Sequence, residues 1–171
     1  SLESSGIRKM FEMAAKMKNP INLSLGLPDF DVPENVKTTT INAIQDGKNG
    51  YTVTRGVPAF CDAIKEALDN EGVPAESVMS VSGASGGLIL SLLALADESV
   101  EVLIPDPCFV AYGHMVRLAG ATPRWINTYP NLKLTPEMLE AAYLESKENP
   151  DIKRRILLFN SPVNPTGIAY T

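Results

Sequence analysis

From residue 78 onward the chain alternates short apolar runs with helix-length segments, and this alternation restricts the possible folds more than any other feature. Val78–Val81 has strand composition and is followed by a glycine-rich turn and an apolar helix through Ala96. Val100–Ile104 resembles a buried strand closed by Pro105, and Phe109–Leu118 a helix stopped by Gly120. Pro123–Thr128 is the next strand. Thr135 then caps a helix with Pro136 at its first position, running to about Lys147, and Ile156–Phe159 is a last strand ending in Asn160. Strands and helices of these lengths in alternation predict an α/β fold, a mostly parallel sheet with covering helices.

The front of the chain is helical instead. Residues 7–18 place Ile7, Met10, Phe11 and Ala14 on one face, and Ile21–Leu25 is a short extended run ended by Gly26 and Pro28. Pro33 opens a helix with Val36, Thr40, Ala43 and Ile44 as its expected inner face and Gly47 as its stop. Pro58 opens another, striped by Phe60, Ile64 and Leu68 and ended by Gly72. A composition shift near Gly72–Pro74 separates this front from the strand–helix section. The sequence ends at Thr171, just after a strand and a Pro-Thr-Gly turn. A doubly wound sheet normally continues there into a covering helix, so the chain is expected to be part of a longer one.

Charge excludes some functions. Fifteen basic and twenty acidic residues give a net charge of −5, unsuited to nucleic acid or an anionic membrane surface. Lys153-Arg154-Arg155 is the only basic run and is expected to be a solvated rim. The apolar stretch Leu88–Ala96 is too short to span a bilayer. Two cysteines, Cys61 and Cys108, lie far apart, and the opening Ser-Leu-Glu-Ser-Ser-Gly has no signal-peptide pattern, so reduced thiols and a cytoplasmic location are expected. No set of metal ligands stands out.

Several segments carry residue types suited to binding. Ser82-Gly83-Ala84-Ser85-Gly86-Gly87 joins a strand to a helix. Small residues there allow close backbone approach, and the free N–H groups of a helix start favour an anion such as a phosphate. A tight turn with close helix–strand packing accounts for the same residues. Asn160-Ser161-Pro162-Val163-Asn164-Pro165-Thr166-Gly167 follows the last strand, at the carboxyl end where open α/β sheets bind ligands. Its prolines stiffen the loop and can aim the Asn164 amide, or the segment is simply a Pro-rich turn. In Asp106-Pro107-Cys108-Phe109, Phe109 can stack on a flat ring or serve as core. Gly26, in Leu25-Gly26-Leu27-Pro28-Asp29-Phe30, permits close approach to a substrate. Tyr51 stands before a glycine turn at Gly56.

Taken in order, G-x-P-D-F, Y-x-x-x-x-G, G-A-S-x-G-L, I-P-D-P-x-[FYW], A-G-A and N-x-P-x-N-P-T-G resemble the first half of the class I/II aminotransferases, enzymes of pyridoxal-phosphate (PLP) fold type I. The resemblance runs from about Ile21 to Thr171, and Asn-Pro-Thr-Gly is its most distinctive piece. It implies a partial fold type I large domain plus an N-terminal arm, with residues 1–50 forming the arm and part of a small domain and 51–171 the first part of the large domain. It implies that Ala84 and Ser85 hold the PLP phosphate, that Phe109 stacks on the pyridine ring and that Asn164 donates to the phenolic oxygen. Tyr51 would reach the phosphate of a neighbouring subunit, hence a homodimer, and Gly26 would border the substrate carboxylate.

The sequence departs from the family at Gly86, where a bulky polar residue is usual, at Cys61, often arginine, and at Val163, often asparagine. None of these removes a named contact. The family's aspartate on the pyridine nitrogen, its tyrosine on the phenolic oxygen, its Schiff-base lysine and its carboxylate-binding arginine are all expected beyond Thr171. None of the nine lysines (9, 16, 18, 37, 48, 65, 133, 147 and 153) has the serine-rich context of that lysine. No catalytic residue is therefore expected in this chain, and His114, within a helix, is expected at the surface or in packing. The implied reaction transfers an amino group between an amino acid and a 2-keto acid. Another PLP enzyme of this fold, such as a carbon–sulfur lyase, and an inactive remnant or binding domain are the alternatives.

Overall fold

A computed structural model describes residues 28–170 together with 10, 13–18, 21 and 26, and the chain divides into two units, 1–51 and 52–171. The expected helix over 7–18 is described only in part, and the extended run Ile21–Leu25 falls largely outside the described residues.

In the first unit, α1 spans Glu34–Gln45, with Pro33 at its N-cap and acidic Glu34 in its first turn. Its end is set by Gly47, which adopts φ +74°. The N–H of Gly47 donates to Ile44 O and that of Lys48 to Ala43 O, at 3.1 and 3.0 Å, a Schellman motif that satisfies the last carbonyls. The expected inner face is not buried: Val36, Thr40 and Ile44 are exposed and Ala43 half-buried, because no described residue of this unit packs over them.

In the second unit, α2 spans Pro58–Asn70 and ends in the same motif, with Gly72 N–H to Asp69 O and Val73 N–H to Leu68 O. Ile64 and Leu68 are half-buried, while Phe60 of the same stripe is exposed. There follow α3 (Gly83–Leu95), β1 (Val100–Asp106), α4 (Tyr112–Leu118), β2 (Thr122–Asn127), α5 (Pro136–Lys147) and β3 (Arg154–Leu157). Thr135 caps α5 as expected, its hydroxyl accepting from the Met138 N–H at 3.3 Å.

The three strands form a parallel sheet in the order β2-β1-β3. Val102 lies beside Pro123 and Ile156, and Leu103 beside Arg124 and Leu157. The central strand alternates its side chains between two cores. Val100, Val102 and Ile104 are fully buried against Leu92 of α3 and Tyr112, Met115 and Val116 of α4. Leu103 faces the other way, with Ile126, Leu134 and Ala142 of α5. The chain leaves β1 toward β2 on one side and returns to β3 on the other. Right-handed crossovers therefore put α4 and α5 on opposite faces of the sheet.

Two expectations are corrected. Val78–Val81 forms no strand in the structure. Its described backbone ties are the Ser80 N–H to Arg55 O at 2.8 Å and the Gly83 N–H to Val81 O at 2.9 Å, and neither is a ladder bond to a strand of the sheet. Arg155 is not part of a solvated rim. Its Nε and Nη2 donate to the buried Ser146, to Oγ at 2.7 Å and O at 2.8 Å. Beside it, at the amino-terminal end of the strands, the buried Glu101 accepts from Arg124 Nε at 2.7 Å, and Arg124 also pairs with Glu145. Lys153 and Arg154 of the same run are exposed.

Candidate functional site

Gly83 opens α3 at φ +68°, in the left-handed region where a side chain would be strained. The sequence-predicted turn is thus the first turn of the helix itself. Ser82 at the N-cap makes no side-chain cap bond, and the N–H groups of Ala84 and Ser85 find no acceptor among the described residues. Both residues are exposed. A 13-residue helix that begins with free, accessible amides and a serine hydroxyl is suited to an anion. Gly86, next in the turn, has room for more: an added Cβ would stand 3.5 Å from Ser82 Cβ, in ordinary contact.

A four-residue connection, Ala96–Ser99, leads α3 into β1. The helix consequently runs back along the sheet, and its start lies toward the carboxyl end of β1. The core bears this out: Leu88 and Ile89 of α3 pack on the same cluster as Cys108 and Phe109, which follow β1. Phe109 is half-buried, with its ring edge-on to Tyr112 at 5.5 Å and 76°. It is anchored by the core and still partly accessible, so the two sequence readings of this residue are compatible. The Cys108 thiol is held in its protonated, weakly nucleophilic form. Burial, followed by the charge of Asp106, pushes its thiol to about 11. Burial likewise raises the Tyr112 phenol.

Between the carboxyl ends of β1 and β3 runs a narrow crevice lined by Pro105, Cys108, Tyr112, Leu158, Phe159, Asn160, Val163 and Tyr170. The loop after β3 closes on itself at its rim. Asn160 Oδ1 accepts from the Asn164 N–H at 3.1 Å. Val163 N–H donates to Ile168 O and Gly167 N–H to Val163 O, at 2.8 and 2.7 Å. Ser161 Oγ accepts from the Tyr170 N–H at 3.0 Å. The side chain of Asn164 is exposed, and its amide has no hydrogen-bond partner among the described residues.

Of the sequence-predicted residues, the structure therefore brings Phe109 and the Asn164 loop to one end of the sheet, with the helix bearing Ala84 and Ser85 packed on the same core as Phe109. Tyr51 and Gly26 belong to the first unit, where both are exposed. Sequence reading missed Tyr170, which walls the crevice. Its ring lies 4.6 Å from that of Phe159, and its hydroxyl accepts from the Leu134 N–H at 2.8 Å. The only available signal was its position three residues after Gly167. As a set, these groups can hold an anion on backbone amides, flank a flat ring and donate from a neutral amide. They offer no general base.

The chain is similar to known proteins over nearly its whole length. A family profile described as "Aminotransferase class I and II" matches residues 18–171. An aspartate/prephenate aminotransferase of Cereibacter sphaeroides is 39% identical, over 95% of this chain and 40% of its own length. A putative aminotransferase of Bacillus subtilis, YugH, is 35% identical over 99% of this chain and 44% of its own. Among solved structures, the aspartate aminotransferase of Rhizobium meliloti superposes with a TM-score of 0.86 at 36% identity, covering 100% of this chain and 43% of that one. The chain thus spans less than half the length of the relatives it matches.

Proposed function

This chain belongs to the class I and II aminotransferases, and on that premise we propose that it supplies the phosphate-, ring- and phenolate-contacting part of a PLP-dependent enzyme moving amino groups between an amino acid and a 2-keto acid. The observation that carries the reading is the convergence, around one core at the carboxyl ends of β1 and β3, of a helix start with free amides, a partly accessible aromatic ring and an unpartnered amide.

The residues fit the cofactor by their donor chemistry. The amides of Ala84 and Ser85, with the Ser85 hydroxyl, suit a phosphate. Phe109 offers a ring face to a pyridine, and Asn164 a neutral N–H donor to a phenolic oxygen. When bound, PLP supplies the electron sink for chemistry at the α-carbon of an amino acid. These residues bind and orient it, and the proton carrier and Schiff-base lysine of the family are proposed to lie outside the nine lysines of this sequence. Gly26 is proposed to border the substrate carboxylate. Tyr51 is proposed to reach the cofactor phosphate of a second subunit in a cytoplasmic homodimer. The division into an arm with part of a small domain (1–50) and the first part of a large domain (51–171) belongs to the same proposal.

The test uses Ser85→Ala and Asn164→Ala in the protein carrying this chain, with pyridoxamine 5′-phosphate binding followed by fluorescence. Hydrogen bonds to charged groups contribute about 1.5–3 kcal/mol, so each variant is expected to bind roughly 10- to 100-fold more weakly. Wild-type affinity in both variants would falsify these assignments. Dependence of turnover on a 2-keto acid acceptor separates amino transfer from a lyase, which needs none.

A further inference from the structure

We propose that Tyr170 is the positioning residue for Asn164, clamping the Asn160–Gly167 loop to the segment before α5 so that the exposed amide is held in one place. The inference rests on the functional reading above, in which Asn164 contacts the cofactor.

Asn164 sits at the far end of a loop whose two arms are joined by the Val163 N–H to Ile168 O bond and by the Tyr170 N–H to Ser161 Oγ bond. Those bonds fix the shape of the loop but not its place on the sheet. Behind β3, the loop's own next anchor is Tyr170, which makes three contacts beyond the loop. Its ring packs on Phe159 at 4.6 Å, its hydroxyl accepts from the backbone of Leu134 at 2.8 Å, and Lys133 Nζ stands 5.7 Å from the ring centroid. Leu134 is itself buried in the core beneath α5, with Leu103 and Ile126. The Leu134 N–H to Tyr170 bond spans 36 residues of sequence and ties the loop to a segment packed in the core beneath α5. A loop held at one end by a strand and at the other by a buried backbone amide has far fewer orientations than one held by the strand alone, and a donor fixed in advance loses less entropy on meeting its acceptor. Tyr170 itself is not assigned a contact with the reacting groups.

Tyr170→Phe removes the hydroxyl while keeping the ring on Phe159. In amide hydrogen exchange on the full chain, it is expected to speed exchange at Leu134, Val163 and Gly167 by roughly tenfold or more, with Val102 in β1 unchanged. In pyridoxamine 5′-phosphate binding it is expected to weaken affinity about five- to tenfold, and to have no further effect when Asn164 is already alanine. Leu139→Ala, which loosens the α5 core, serves as the comparison for a purely structural role: it raises exchange broadly and leaves the double-mutant cycle additive. Unchanged exchange at Val163 and Gly167 in Tyr170→Phe overturns the clamp whatever the cofactor does. Local loosening combined with independent, multiplying effects of Tyr170→Phe and Asn164→Ala overturns the action through Asn164. Absence of binding by the wild-type protein overturns the functional reading and the role toward the cofactor, while the exchange result still decides the clamp.

Discussion

Replacing Arg124 by methionine isolates the buried ion pair at the amino-terminal end of the sheet. Glu101 is 5% exposed in its side chain and Arg124 27%, with the carboxylate accepting from Nε at 2.7 Å. Methionine keeps much of the apolar stem of arginine and leaves Glu101 charged and buried without its hydrogen-bonded cation, with only the Ser146 hydroxyl and the more distant Arg155 charge still lowering its pKa. Breaking a fully buried pair costs about 3–5 kcal/mol. Because Arg124 is partly hydrated and Ser146 and Arg155 still act on Glu101, the cost falls to the bottom of that range or below it, about 2–3 kcal/mol at neutral pH, or roughly 5–10 °C in Tm for a chain of this size. The pH dependence makes the test sharper. Burial pushes Glu101 up, but the bonds from Arg124 and Ser146 outweigh it and hold the carboxyl below its ordinary 4.5. In the wild type this group therefore stabilises the fold above its unfolded-state pKa, and that contribution disappears as pH falls through the lower folded value. In Arg124→Met the largest of the lowering influences is gone and the Glu101 pKa rises from its wild-type position. Protonation then relieves the unpaired charge, and the deficit relative to wild type narrows as pH falls from 7 toward 4. Urea unfolding followed by Trp125, the single tryptophan, measures both. A deficit under about 1 kcal/mol at pH 7, well below the cost of breaking a buried pair, or one that does not change with pH, would refute the reasoning.

Gly113→Ala places a methyl 2.8 Å from two ring carbons of Trp125, so the indole must turn aside or α4 must move off β2. The expected loss is about 1–3 kcal/mol, seen as a lower urea midpoint with altered Trp125 fluorescence, and an unchanged midpoint would show that the contact yields freely. Gly86→Ala, whose Cβ meets only ordinary contacts, is expected to gain about 0.5–1 kcal/mol by restricting the unfolded chain, read as a higher midpoint. Cys108, raised from 9.0 to about 11, holds about a hundredfold less thiolate at pH 8 than an unperturbed thiol. Iodoacetamide should label it slowly in the folded chain and readily in urea, and equal rates in the two states would contradict its burial.

The helix stops were legible because they depend on local chemistry. Gly47, Gly72 and Gly120 each adopt positive φ after a helix, as residues without a Cβ do at such ends, and Thr135 with Pro136 marks the start of α5 for equally local reasons. The three strands of the sheet were visible within two residues at their starts and ends, since the unbroken apolar run Val102-Leu103-Ile104 announces a strand buried on both sides. The glycine segment was visible as a place for an anion but not in its form. The sequence suggested a loop between strand and helix, and the structure makes it the first turn of α3.

Sequence alone determined the α/β class and the helix boundaries that glycine and proline enforce, and it offered residue types suited to an anion, a flat ring and a neutral donor. Each of these follows from the preferences of a few neighbouring residues. Tertiary structure decided what depends on partners distant in the chain. Val78–Val81 has the residues of a strand but no ladder partner among the described residues, and a strand exists only in its ladder. Arg155 left the expected rim because Ser146 offered it a buried acceptor. Tyr170 gained its place through an amide 36 residues away, a contact that no local pattern encodes because it forms only when the crossover through α5 brings Leu134 back beside the end of β3.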